Sequence, residues 1–292
     1  MKKDFTAIYC FVDDFIKNLE NNLPTINSSK FKPGVSNYLS ISEVVTILIG
    51  YYDSYCDCFK HYYKQVILHN YTEDFKLVSY EHFTKLIGRS MPYLAILLNH
   101  LLAECTGLSF VDATGIAVCK NYRISSHKVF KGIAARGKTT KGWFYGLKLH
   151  LIIDTEGNLI KVSFSSGNKD DRKGLKGMIS GIYGKVFGDR GYISKELFDD
   201  LHDKGIQLIT RVKKNMKNIL LPITDKVMLL KRTLIETVIG KLKFLDKLEH
   251  SRHRSVTNAF SHMLSCLINY QLLENKPSIK TLLPIELFDI PN

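Results

Sequence analysis

Two aspartates lie where carboxylates are seldom found, and a glutamate stands alone among basic residues on a helix face. Asp112 falls inside the apolar run Phe110-Val111-Asp112-Ala113-Thr114, and Asp189 closes Val186-Phe187-Gly188 just before Arg190-Gly191-Tyr192. Glu236 is the single acid in KRTLIETVIGKLK, Lys231 to Lys243. Charged residues are rarely buried unless paired or bound to metal, and strand interiors disfavour Asp. An Asp at a strand end can instead accept backbone hydrogen bonds from the next turn, an alternative that suits Asp189 better than Asp112. If two neighbouring strands and a crossing helix bring the three together, their repulsion raises their pKa values unless a cation intervenes. An all-oxygen donor set suits Mg2+ or Mn2+ rather than zinc. Two such ions about 3.5–4 Å apart can activate a water or hydroxyl on one side of a phosphodiester and stabilise the leaving oxygen on the other. Asp112 fits the place of a bridge between them.

The stretch around Glu236 has helical spacing. About 100° of rotation per residue puts Leu230, Leu234, Val238, Leu242 and Leu245 on one stripe, with Arg232, Glu236 and Lys243 within roughly 40° of one another on the other side. Beside a metal-binding Glu, Arg232 and Lys243 would meet incoming phosphates. The alternative is an ordinary Arg-to-Glu pair at i,i+4, which contributes about 0.2–0.5 kcal/mol. Arg190, Lys213, Lys214 and Lys217 follow strand ends and are further candidates to line the path of a polyanion.

The elements that must position these residues change character along the chain. Residues 1–105 have helical periodicity through ISEVVTILIGYYDSY, with Ser42 as the expected N-cap, and through HFTKLIGRSMPYLAILLNHLLAE. Between them aromatic and basic residues interleave in FKHYYKQVILHNYTEDFKLVSYEHF, which suits either nucleic-acid contact or a helical core. Residues 106–275 read as an α/β layer. Three strands, LSFVDATGIAVC, WFYGLKLHLIID and LIKVSFSS, come first, with Glu156-Gly157-Asn158 as the turn between the second and third. A helix over DRKGLKGMISGIY follows, then the strand KVFGD, a helix opening at Ser194, and the strand QLITRV. Successive strands that later alternate with helices predict a mixed sheet with an antiparallel lead-in and a parallel remainder. The segment NYRISSHKVFKGIAARGKTTKGW has no clear period and is expected to be a loop, and residues 276–292, with three prolines, an irregular tail. His150 is expected to be packed, Asp170 and Asp171 to cap a helix, and Trp143 to sit at a strand rim or stack on an unpaired base.

A chain of 292 residues with 45% hydrophobic and 24% charged residues has the make-up of a globular protein. Its net charge of +13 attracts polyanions, nucleic acid first and an anionic membrane surface second. No apolar run approaches the length of about 20 residues that a membrane span needs, and Asp13 and Asp14 interrupt any signal-like segment, so a cytoplasmic location is expected. Six scattered cysteines form neither a zinc-ribbon pattern nor a disulfide framework and are expected to be thiols.

These residues resemble a family. FVDAT around Asp112, KVFKGIAARGKTTKGWFYGLKLHLI, GNKDDR at Gly167 to Arg172, VFGDRGYIS around Asp189, GIQLITRVKKNMKN, KRTLIET around Glu236 and EHSRHRS at Glu249 to Ser255 occur together and in order. SEVVTILI and KLVSY extend the likeness toward the N-terminus. The chain resembles the DDE transposases of bacterial insertion sequences, within them the insertion sequence 982 family. The resemblance implies a ribonuclease-H-like catalytic domain over 106–275 and a DNA-binding helical region over 1–105. Asp112, Asp189 and Glu236 would be both catalytic residues and ligands of two Mg2+ ions, with Mn2+ able to substitute and no small-molecule cofactor. It implies DNA partners (transposon ends and target), a homo-oligomer on DNA, no membrane, and a bacterial, nucleoid-associated setting. The implied chemistry is cleavage at the element's ends, then attack of the freed 3′ hydroxyl on target DNA. A nuclease without strand transfer and a catalytically inactive DNA-binding relic are the competing functions. Related transposases carry Tyr, two residues, Arg, three residues, Glu, six residues, Lys; Arg232, Glu236 and Lys243 fit this spacing, and the tyrosine position is Leu229.

Overall fold

A computed structural model describes residues 4–22, 39–139, 142–212, 220–245, 247–249 and 253–280. The chain divides into two compact units, residues 1–101 with 253–272, and residues 102–252 with 273–292. Helices α1 (Phe5–Asn22), α2 (Ile41–Gly50), α3 (Phe59–Tyr62), α4 (Leu68–Asn70) and α5 (Tyr80–Leu101) come first. Strands β1 (Leu108–Cys119), β2 (Ala135–Thr139), β3 (Gly142–Ile153) and β4 (Leu159–Ser166) follow. Then come α6 (Asp171–Lys176), β5 (Gly184–Gly188), α7 (Lys195–His202), β6 (Ile206–Thr210), α8 (Ile223–Lys231), α9 (Thr233–Gly240) and α10 (Val256–Gln271).

The first unit is helical. Its α2 begins at Ser40 rather than Ser42: the Ser40 hydroxyl accepts from the Glu43 N–H while the Glu43 carboxylate reaches back to the Ser40 N–H. A Glu at the third helical position makes this reciprocal cap possible, and Ser42 is left buried inside the helix. The aromatic residues of the interleaved segment turn inward. Phe59, Tyr62, Tyr63, Phe75 and Phe83 are all buried, with the Tyr63 and Phe83 rings 4.5 Å apart. Their apolar area stabilises a core, not an exposed stacking surface. The helix α10 packs against α5 and α2, so it belongs to this unit and not to the 106–275 domain expected from the sequence. Its cap at Ser255 and a face of Ala259, Met263, Cys266, Leu267 and Tyr270 give it the amphipathic period that such packing requires.

The second unit is a mixed sheet in the order β4-β3-β1-β5-β6. β3 and β4 are antiparallel to their neighbours, and β1, β5 and β6 run parallel through helical crossovers, the ribonuclease-H-like arrangement expected. Gly157, at φ +74°, makes the β3–β4 turn, and Asp154 closes it by accepting from the Glu156 and Asn158 N–H groups. The segment expected to be a loop contains β2, which pairs with Gly142 to Gly146 of β3. β4 pairs with Leu147 to Ile153. Tyr145 and Gly146 pair with β1 as well, so β2 and β4 share the other edge of β3 end to end. The expected helix over residues 171–183 ends after six residues, at Gly177.

Alternation assigns the faces. Val111, Ile152 and Val186 form one core with Leu175 of α6 and Leu197 and Leu201 of α7. Phe110 and Asp112 therefore point to the opposite face, where Phe110 meets Phe187 at 5.8 Å and α9 packs on β1. The six cysteines are free thiols, and among the described residues no helix is long and apolar enough to cross a membrane.

Gly146 shows how closely β1 and β3 approach. A Cβ there would lie 1.9 Å from the Ile116 carbonyl oxygen, whereas one at Gly240 would meet nothing within 4 Å. Gly146→Ala is expected to destabilise the protein by at least about 2 kcal/mol through forced displacement of the strands. Gly240→Ala should be neutral or slightly stabilising. Urea denaturation midpoints of the two variants check both signs.

Candidate active site

The site begins with strand register. β1 and β5 run parallel with Phe110 opposite Phe187, so two residues further on Asp112 and Asp189 stand at the same level of adjacent strands. Asp112 is held within β1 by pairing with Leu151 of β3. Asp189 follows the last residue of β5 and caps a single 3-10 turn, Arg190–Tyr192, its Oδ1 accepting from the Gly191 N–H at 2.8 Å. The backbone-accepting alternative for Asp189 is thus realised, and it also fixes the carboxylate's direction.

Glu236 comes from α9. Leu234, Ile235 and Val238 are fully buried and anchor this helix, leaving the Glu236 side chain about half exposed. The single helix expected from Leu230 to Leu245 is broken: α8 ends at Lys231, α9 starts at Thr233, and Lys241–Leu245 form a π turn. The break rotates the apolar stripe. Leu230 is 60% exposed, and Leu229 takes the buried position instead. The site of the related enzymes' tyrosine is therefore filled by an apolar packing residue.

Arg232 occupies the break. Its guanidinium lies 3.7 Å from Asp112 Oδ2 through Nη1 and donates from Nη2 to Glu236 Oε1. The i,i+4 pair is present, then, but it extends to the sheet and joins two of the three carboxylates. Asp112 Oδ1 accepts from the Ala113 N–H at 2.8 Å. Burial pushes the Asp112 carboxyl up to about 6; the Ala113 N–H and Arg232 pull it down, and the charges of Asp189 and Glu236 raise it further. Asp112 therefore feels the charges of both other acids. Among the described residues, however, no three His, Cys, Asp or Glu side chains converge closely enough to hold a metal ion. The donors are chemically suited to Mg2+ or Mn2+, and the cation now between two of them is Arg232.

The other basic candidates divide. Lys243 donates to the Gly115 carbonyl at 2.6 Å and pairs with Glu249 at 2.9 Å, so its ammonium is directed into its own domain. Arg190 is exposed on the turn after Asp189. Lys213, Lys214 and Lys217 lie outside the described residues. Asp170 caps α6 by accepting from the Arg172 N–H, and Asp171 pairs with Lys148 at 2.8 Å. His150 is fully buried with Nε2 2.7 Å from the Ser165 hydroxyl, and burial pulls its pKa down. Trp143 is 63% exposed, with the Lys138 ammonium 5.7 Å from its ring centre.

Sequence reasoning passed over Tyr192. It is 2% exposed, its hydroxyl has no hydrogen-bond partner among the described residues, and burial together with Asp112, Asp171 and Asp189 pushes its phenol well up. The signal was available: a tyrosine one 3-10 turn beyond a strand-ending Asp returns beneath that strand end.

Asp112 within β1 and Asp189 just after β5, with Glu236 of α9 joined to Asp112 through Arg232, thus lie on a mixed sheet of ribonuclease-H-like order. The family model described as "Transposase DDE domain" matches residues 102–256, just over half of the chain, and the chain belongs to this family. Among solved structures it is similar to the piggyBac transposase synaptic complex with hairpin DNA determined by cryo-EM, at 9% identity and a TM-score of 0.40. That match covers 72% of this chain and 52% of the other, so the chain spans about half the length of that protein. Comparison with curated proteins gives no match.

The raised Asp112 pKa has a definite sign for stability. Between the unfolded value near 4 and the folded value of about 6, the native state binds more protons than the unfolded one, so this group lowers stability as pH rises through that window. Asp112→Asn should raise the melting temperature at pH 7.5 in EDTA, with the gain shrinking as pH falls from about 6 toward 4. Thermal melts at pH 4, 5, 6 and 7.5 check it.

Proposed function

We propose that this chain is a transposase of the insertion sequence 982 kind, a polynucleotidyl transferase that cuts at the ends of its own element and joins the 3′ hydroxyl to target DNA. The single observation that supports this reading is that, in a chain of the DDE family, Asp112 and Asp189 stand at the same level of adjacent parallel strands with Glu236 linked to Asp112 through Arg232. Asp112, Asp189 and Glu236 would hold divalent ions, Mg2+ or Mn2+. When bound, a pair of such ions supplies activation of a water or 3′ hydroxyl and stabilisation of the leaving oxygen.

The chain's own residues supply position. Asp112 is the carboxylate with the greatest need of a cation, because burial and two neighbouring acids disfavour its charge, and it would be the shared ligand. The Gly191 N–H orients Asp189, and buried Leu234, Ile235 and Val238 hold Glu236 at a fixed height above the sheet. Arg190, beside Asp189, and Lys213 and Lys214, after β6, would receive DNA phosphates. Lys243 would serve the same path only by leaving Gly115 and Glu249, so its first role is to tie the end of the π turn to β1. The net charge of +13 favours encounter with DNA at low salt. Two DNA ends must be cut and joined together, which supports assembly as a homo-oligomer on DNA in the bacterial cytoplasm.

A cleavage assay on DNA carrying the flanking element ends, with a target plasmid present, tests this. Wild type should nick and join with Mg2+ and do neither in EDTA. Asp112→Asn, Asp189→Asn and Glu236→Gln should each reduce nicking more than about a hundredfold while DNA binding in a mobility-shift assay persists. Full activity in any one variant removes that residue from the triad. Cleaved ends with no joined product indicate a nuclease, and binding without cleavage a relic.

A further inference from the structure

Arg232 sits at the one position where α8 and α9 are interrupted. Its backbone is helical (φ −53°, ψ −22°), and its carbonyl accepts from the Ile235 N–H at 3.1 Å, so the chain restarts its helix over this residue. From that pivot the side chain, about 20% exposed, reaches back to β1 and forward to α9 together. A guanidinium is suited to this, because its planar fork addresses two acceptors without bending. The contacts fall on oxygens that carry the charge of the site, Oδ2 of Asp112 and Oε1 of Glu236. The remaining Asp112 oxygen already accepts from the Ala113 N–H.

We propose that Arg232 is the resident cation of the carboxylate site, holding Asp112 and Glu236 in the metal-free protein and leaving them before they can share a divalent ion. The inference rests on the triad assignment proposed above. It accounts for two observations together: Asp112 and Glu236 are joined through one guanidinium, yet among the described residues the acids do not converge to a metal-binding distance. The arginine fork spaces Asp112 and Glu236 at the span of a guanidinium, which is wider than two ligands of one ion. A guanidinium and a divalent cation also repel, and both draw on the same oxygens. Departure of the arginine would free a fork that fits a phosphate, so one side chain would balance the empty site and meet DNA at the loaded one.

Calorimetric titration of the full chain with Mn2+, alongside thermal melts in EDTA, tests the proposal without relying on activity. Arg232→Met, which keeps length and removes charge, should bind Mn2+ at least about tenfold more tightly than wild type and melt at a lower temperature when metal-free. Arg232→Lys keeps a cation but loses the fork, and should tighten binding only a few-fold. Equal or weaker Mn2+ binding by Arg232→Met, in protein whose far-UV circular dichroism is native, overturns the proposal. If Arg232→Met does not fold, wild-type affinity or weaker in Arg232→Lys overturns it equally. A different result would mark failure of the triad assignment itself: no Mn2+ binding by wild type and Arg232 variants alike, or undiminished binding by Asp112→Asn.

Discussion

A carboxylate placed in the middle strand of a sheet has little access to water, and its charge must be met by something else. Asp112 is that carboxylate here, and much of the second unit can be read as the means of meeting it. The parallel register of β1 and β5 sets Asp189 beside it. The apolar anchors of α9 bring Glu236 over it. Each addition makes the charge problem worse, because the two neighbouring acids add to the cost of burial, which remains the larger effect. Arg232 eases that charge, with its guanidinium set against both Asp112 and Glu236.

This electrostatic debt explains why the helix breaks where it does. A straight helix through Arg232 would keep that residue on the outer face with Glu236, as its spacing predicts. Interrupting the helix at Arg232 shifts the buried stripe from Leu230 to Leu229 and lets the guanidinium turn toward β1. The interruption between α8 and α9 therefore coincides with the residue whose charge the site needs.

Much of the fold was legible because it is written in periodicity. The apolar runs that became β1, β3, β4, β5 and β6, the turn at Gly157 and the caps at Ser194 and Asp170 all depend on neighbours in sequence. The features left open or misjudged depend on partners remote in sequence. β2 carries little strand character in Ala135-Arg136-Gly137-Lys138-Thr139 and exists because β3 offers it an edge. The aromatic residues from Phe59 to Phe83 interleave with lysines in sequence, and only the helical packing reveals them as core. α10 has an ordinary amphipathic pattern that does not state which unit it covers. At the site, residue type marked Asp112, Asp189 and Glu236, but spacing alone could not show that Arg232 bridges two of them or that Lys243 turns to Gly115.

The return of α10 to the first unit has a consequence for synthesis. The helices α1 to α5 leave the ribosome first, yet the helix that packs against α5 and α2 is made only after the whole sheet. At about 5–20 residues per second, the intervening 102–252 segment takes roughly eight to thirty seconds to appear. By its end the sheet has all its strands, while the apolar faces of α2 and α5 still lack their covering helix. The strands of the acid-bearing sheet are thus all made before the helix that completes the first unit.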